Sequence, residues 1–162
     1  MKQVLIFFSF LLFAQCKNIH QKPDVPIIIT DNFSIEESRR KIEKAIDFND
    51  TLSYSQIASD LNLKHFYSDL FYYSLQMANR NNYPDAYFNV YIGFAYSTSK
   101  SPKETLLLMD NKSKNFAIYH LLKSYELGYK NAIYNIDEIF GKIKDIPASN
   151  KYLDILVDEY KK

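Results

Sequence analysis

The segments FYYSLQMA (residues 71–78) and AYFNV (86–90) flank a short polar turn, and their pattern recurs in IYHLLKSY (118–125) and AIYNI (132–136). The offset between the two copies changes by only one residue across the turn. Each second segment opens with alanine, a small residue that lets two helices approach closely. A helix–turn–helix unit of this kind cannot bury its apolar face alone, so it stacks on a copy of itself. The sequence therefore predicts an all-α fold of stacked helical hairpins.

Apolar residues at helical spacing predict further helices on both sides of these segments. No window alternates with a period of two residues, so we expect almost no strand. The helices are expected over about 34–48, 53–62, 63–79, 84–97, 101–109, a segment through 117–125, 131–140 and 150–160.

Several residues mark the ends of these helices. Ser34 with Glu37, and Ser101 with Glu104, have the spacing of a capping box. Gly128 follows a helical segment and is suited to a left-handed C-terminal cap. These signals place the start of the folded domain at residue 34.

The segment AIYHLLKSYELG (117–128), followed by AIYNI (132–136), resembles the Sel-one-like repeat, a relative of the tetratricopeptide repeat. The resemblance covers 71–97 and 114–141 and implies a short right-handed α-α superhelix of stacked hairpins. An irregular helical bundle is the alternative. Tyr125 and Asp137 depart from the pattern, and a longer loop replaces the family's glycine-rich one. The residues in register are Ala117, Lys123, Ser124, Glu126, Gly128, Ala132, Tyr134, Asn135 and Phe140.

The N-terminus has the features of an export signal, which we assign to residues 1–15. Lys2 precedes an apolar run over 4–14. Eleven helical residues rise about 16 Å, roughly half the thickness of the bilayer core, so this run is too short to span it. The sequence predicts export to the cell envelope.

Cys16 directly follows that run and is the only cysteine in the chain. Its position resembles a bacterial lipobox, which implies lipidation of Cys16 and a protein anchored on a membrane and facing the periplasm. Gln15 stands where that motif prefers a smaller residue. The alternative is ordinary cleavage near this point, which leaves a free thiol on a periplasmic or secreted protein. Residues 16–33 contain two prolines and no helical period, which indicates an extended tether before the helical repeat domain of 34–162.

Composition and motifs exclude several functional classes. The 20 basic and 19 acidic residues give a net charge of +1, which argues against a nucleic-acid partner. Three isolated glycines cannot form a phosphate-binding loop. The histidines His20, His65 and His120 lack metal-ligand spacing. We therefore expect no cofactor, no metal, no catalytic residue and no small-molecule substrate.

Tyrosines on the fourth predicted helix are candidates for binding a protein partner. Tyr87 and Tyr91 are four residues apart, and the corresponding positions in the second copy are Ile133 and Asp137. Tyrosine is common at the energetic centres of interfaces. One hypothesis is that these four residues mark a partner groove, and the other is that both tyrosines pack on neighbouring helices.

These observations predict a non-enzymatic protein that binds another protein at an envelope membrane as an adaptor or assembly factor. The family resemblance also implies an alternative role, because lipoproteins similar to Sel-one-like repeats neutralise toxins that reach the periplasm, such as secreted lipases. An enzyme with a dispersed active site is the third interpretation.

Overall fold

The computed structural model describes residues 34–142 and 144–153, and these form helices and connecting turns with no strand. The prediction of an all-α fold is therefore confirmed for this part of the chain. Residues 150–153 are also helical, as expected for the start of the last predicted helix. The other α-helices are α1 (Ile35–Asp47), α2 (Thr51–Leu63), α3 (Tyr67–Asn81), α4 (Pro84–Ala95), α5 (Pro102–Leu108), α6 (Asn111–Glu126) and α7 (Ile133–Phe140), with a 3₁₀ turn at Lys130–Ala132 before α7.

Side-chain caps start several of these helices. The Ser34 hydroxyl accepts a hydrogen bond from the Glu37 amide at 3.2 Å. Ser101 and Glu104 form a complete capping box at α5, because each side chain accepts from the other residue's backbone amide. Each cap satisfies amides that have no partner inside the helix. Both predicted helix starts are confirmed.

Helices α1, α2 and α6 end in the same way, with a left-handed residue directly after the cap. These residues are Asn49, His65 and Gly128, with φ angles of 53°, 60° and 109°. In each case this residue's amide and the next one bond back to carbonyls in the last helical turn, which is the Schellman arrangement. The predicted cap at Gly128 is confirmed.

The predicted helix over 63–79 is wrong at its start. Leu63 is the last residue of α2, and the backbone turns at His65 before α3 begins at Tyr67. The apolar spacing of 63–67 continues the helical period across this turn, and histidine does not specify a left-handed conformation as glycine does.

Helix α4 is the centre of the fold. It packs most extensively against α3 and α6 and also contacts α2 and α5. A helix enclosed in this way needs apolar residues on most of its sides. The buried apolar residues of α4 are Ala86, Tyr87, Val90, Tyr91, Ile92 and Ala95.

Glycine is required where α4 crosses α3. A β-carbon added at Gly93 would lie 2.8 Å from the β-carbon of Phe71 and 3.3 Å from its α-carbon. Because these atoms belong to or adjoin the α3 backbone, they cannot move aside as a flexible side chain could. Gly93 therefore sets the separation of the two helices.

Five equivalent positions are buried in both sequence copies, whereas Tyr87 and Tyr91 are buried and their counterparts Ile133 and Asp137 are only half-buried. Each residue of the following pairs is buried: Leu70 and Ala117, Ser74 and Leu121, Met77 and Ser124, Ala86 and Ala132, Val90 and Ile136. The copies differ in the segment that comes after each one, because α5 lies in the long connection after α4. Helix α5 packs on α4 and α7, and its buried residues are Pro102, Thr105 and Leu106.

Candidate functional site

Both tyrosines of the proposed partner groove lie in the core. Tyr91 is fully buried, and its hydroxyl lies 3.5 Å from the Asn135 amide nitrogen, which donates to it. Tyr87 is also buried, and its hydroxyl donates to the Asn82 side-chain oxygen at 3.1 Å. Burial raises the pKa of both phenols. The structure thus leaves Tyr91 no exposed surface with which to contact a partner.

Tyr87 and Tyr91 are buried because neighbouring helices enclose α4. The hypothesis required one face of α4 to be open, but α2, α3, α5 and α6 all contact this helix. The other two groove residues, Ile133 and Asp137, are half-buried on α7. The structure therefore separates the four residues into two core tyrosines and two partly exposed positions on another helix.

A different concave surface lies between α1 and α3, which we call the α1–α3 depression. Its aromatic residue is Tyr72, which is 58% exposed. The Tyr72 ring packs edge-on against Tyr73 with the ring centroids 5.0 Å apart. The depression is lined by Glu43, Ile46 and Asp47 of α1 and by Tyr72, Gln76 and Arg80 of α3.

Charged side chains join the two helices across this surface. The Arg80 guanidinium lies 2.8 Å from an Asp47 carboxylate oxygen, and both side chains are more than half exposed. The Tyr73 hydroxyl donates to Glu43 at 3.2 Å. Burial, followed by the negative charge of Glu43, raises the pKa of Tyr73 to about 12, so this phenol is neutral at physiological pH.

This arrangement suits recognition of another protein. Tyrosine and arginine are among the residue types most often found at the energetic centres of interfaces. An exposed ion pair contributes at most about 1 kcal/mol to stability. Arg80 and Asp47 can therefore separate and bind groups on a partner with little loss of free energy. Sequence reasoning missed this surface, although Glu43 and Asp47, and likewise Tyr72, Gln76 and Arg80, recur every four residues on their helices.

A second polar cluster connects α2 to the start of α4. The Ser55 hydroxyl donates to an Asp85 carboxylate oxygen at 2.9 Å and lies 3.0 Å from the Tyr83 hydroxyl. Burial raises the pKa of Asp85. The three side chains form a hydrogen-bonded link between α2 and the start of α4. Its evident role is to fix α2 against α4.

The two histidines within the described residues lie apart in the fold. The Nδ1 atom of His65, in the turn after α2, lies 2.9 Å from the Tyr67 hydroxyl. His120 is buried in α6, where its Nδ1 atom donates to the Phe116 carbonyl oxygen at 2.8 Å. Burial lowers the pKa of His120 to about 4. Among residues 34–142 and 144–153, no three His, Cys, Asp or Glu side chains converge as a metal site requires.

The predictions for residues 1–33, including the signal segment and lipidation of Cys16, lie outside the described residues. Within the part that the structure does describe, no helix has both the length and the apolar character needed to cross a bilayer.

Comparisons of this chain with models of protein families, with curated proteins and with solved structures find no match.

Proposed function

We propose that this protein is a non-enzymatic scaffold, anchored to an envelope membrane through Cys16, that binds another protein at the α1–α3 depression. The observation that carries the proposal is the exposed tyrosine on this surface. Tyr72 lies beside the Arg80–Asp47 ion pair, and the helices beneath it belong to the packed core. A rigid aromatic side chain loses little conformational entropy when a partner covers it.

The rest of the chain supports a binding role. Arginine and carboxylate groups on α1 and α3 neutralise each other within the chain, which suits a partner of mixed charge rather than a nucleic acid. We further propose that the hairpins form a short right-handed superhelix. The five equivalent positions that are buried in both sequence copies support the stacking of the two hairpins on which this arrangement depends.

Anchoring is supported by the sequence of the N-terminus. The apolar run is followed at once by the single cysteine, and residues 17–33 then separate that cysteine from the first helix. Acyl chains gain about 0.8 kcal/mol for each methylene group buried in lipid, so two or more chains hold a protein on a membrane.

Site-specific crosslinking in the cells that make the protein tests the binding surface. A photoreactive benzoylphenylalanine at position 72 should form a covalent adduct with the partner. Tyr134 on α7 is the matched control, because it is a tyrosine with 75% exposure outside the depression. An absence of adducts at position 72, or equal adducts at both positions, would contradict the proposal.

The captured protein then allows a quantitative test. Tyr72→Ala should weaken its affinity by at least about tenfold, or about 1.4 kcal/mol, whereas Tyr134→Ala should leave the affinity unchanged. The identity of the captured protein also separates the two roles, because a toxin would indicate immunity and an envelope component would indicate an adaptor.

A further inference from the structure

Helix α5 presents two adjacent leucines to solvent. Leu107 is 69% exposed and Leu108 is 66% exposed, whereas Leu106 beside them is buried. Single exposed apolar residues are common on protein surfaces, but two large neighbours that both point outward form a patch. The outward side of this helix is completed by Lys103 and Glu104, one helical turn earlier.

The helix holds these leucines in a fixed position. The buried residues on its inner side are Pro102, Thr105 and Leu106. The Thr105 hydroxyl lies 2.7 Å from the Thr98 hydroxyl, which ties the helix to the preceding loop. Ser101 and Glu104 close its first turn as a capping box. The leucines are therefore carried by a packed element of the fold.

The charges around the patch favour a negatively charged surface. Exposed Lys100 and Lys103 precede the leucines. Hydrogen bonds from Ser101 and Ser113 lower the pKa values of Glu104 and Asp110, so both carboxylates are charged. With Lys112 and Lys114 of α6, however, residues 100–114 hold four lysines against these two carboxylates, a local net charge of +2. Basic side chains beside exposed leucines are the pattern by which proteins bind anionic lipid headgroups and bury apolar side chains among the acyl chains.

A second exposed apolar pair lacks this charge pattern. Phe48 and Leu52 lie where α1 ends and α2 begins, and Leu52 is 65% exposed. Their charged neighbours in sequence are Asp47, which is paired with Arg80, and Asp50, which anionic headgroups would repel, and no lysine or arginine lies between residues 45 and 53. This pair matches the α5 leucines in exposure and differs from them in charge.

We propose that the outer side of α5 docks on the lipid surface that carries the protein, with Leu107 and Leu108 inserted beneath the headgroups. The inference rests on the anchoring part of the proposed function, because a tether from Cys16 keeps the domain beside one membrane. Docking of α5 fixes the orientation of the domain on that membrane.

Tryptophan fluorescence provides a direct test, because the chain contains no tryptophan. Leu108→Trp and the control Leu52→Trp each introduce one fluorophore at a leucine of matched exposure. The full chain is reconstituted into vesicles of phosphatidylcholine and phosphatidylglycerol with brominated acyl chains, which quench tryptophan at short range. We expect the residue-108 probe to lose most of its emission and to shift to the blue, while the residue-52 probe keeps its emission.

Charge reversal tests the role of the lysines. In the Leu108→Trp protein, Lys100→Glu with Lys103→Glu should restore much of the lost emission. Leu107→Trp serves as a second probe if Leu108→Trp fails to fold, with folding verified by circular dichroism.

Each outcome separates the inference from the anchoring on which it rests. Co-sedimentation with vesicles without quenching at residue 108, or with equal quenching at residue 52, overturns α5 docking and leaves anchoring intact. A chain that does not sediment with vesicles overturns both. A blue shift that depends on protein concentration and not on bromine would identify a second copy of the chain as the occupant and overturn docking on lipid.

Discussion

Acid should destabilise this protein through His120. Its imidazole lies among aromatic rings, with the Phe116, Tyr119 and Tyr87 centroids 4.2, 5.0 and 5.6 Å away. A carbonyl oxygen can only accept a hydrogen bond, so the bond from Nδ1 to Phe116 places the proton of the neutral ring on Nδ1. A second proton would create a charge in a site that burial shields from water.

The size of the effect follows from proton linkage. The pKa of His120 is about 4 in the folded protein, against 6.5 for the unperturbed side chain. The unfolded chain therefore binds the proton first as the pH falls below 6.5, and the folded state loses stability until the pH reaches its own pKa near 4. Integration gives a loss of about 2 kcal/mol between pH 8 and pH 5, and about 3 kcal/mol by pH 4.

Urea unfolding of the full chain in non-ionic detergent, at pH 8 and pH 5, measures this loss. In His120→Asn the amide can still donate to the Phe116 carbonyl, but the side chain does not titrate. We expect the variant to be less stable at both pH values because of the lost ring, yet to lose about 2 kcal/mol less than the natural protein between them.

Carboxylates contribute equally to both proteins, so their effect cancels in this difference. Equal losses in the natural protein and in His120→Asn would refute the reasoning, as would a pKa near 6.5 for His120 in an NMR titration.

Three further substitutions test the packing. Gly93→Ala should lower the free energy of unfolding in urea by about 1–3 kcal/mol, because the new β-carbon meets Phe71. Alanine favours helices more than glycine does, so a gain in stability would show that α3 and α4 are not in close contact. Ser101→Ala removes the α5 cap and should lower the free energy of unfolding by about 1 kcal/mol, measured by thermal unfolding. An unchanged melting temperature would contradict the capping box. Ser149→Ala should lower the free energy of unfolding by about 1–2 kcal/mol and speed hydrogen exchange of the helical residues 150–153. The reason is that the buried Ser149 hydroxyl donates to the Glu126 carboxylate at 2.7 Å. Unaltered exchange would show that this bond does not hold the segment.

Local signals in the sequence were sufficient for the helices and most of their ends. Ser34, Pro84, Ser101 and Gly128 each have a chemistry suited to one end of a helix, so their roles could be predicted from neighbouring residues alone. His65 adopts the same left-handed conformation as Gly128, but its side chain carries no such preference. The left-handed conformation of His65 was therefore not predictable from local sequence.

The candidate site was harder to predict, because exposure depends on which helices lie side by side. Tyrosine is a residue type common at interfaces, which made Tyr91 a candidate. Its burial becomes evident only from the contacts of α5 and α6 with α4, which enclose this helix. Tyr72 has the same side chain but lies on the outer side of α3. Both residues are tyrosines within predicted helices, so the sequence could not show which one lies in the core and which one lies on the surface.

The position of α5 has a consequence for how such a protein can evolve. Open helical arrays lengthen readily by gene duplication, because each unit touches only its neighbours. In this chain α5 bridges α4 and α7, so an additional hairpin spliced between them would pull apart the two surfaces that α5 covers. A lineage under selection for a longer molecule would therefore have to lengthen existing helices or add new segments outside this bridge.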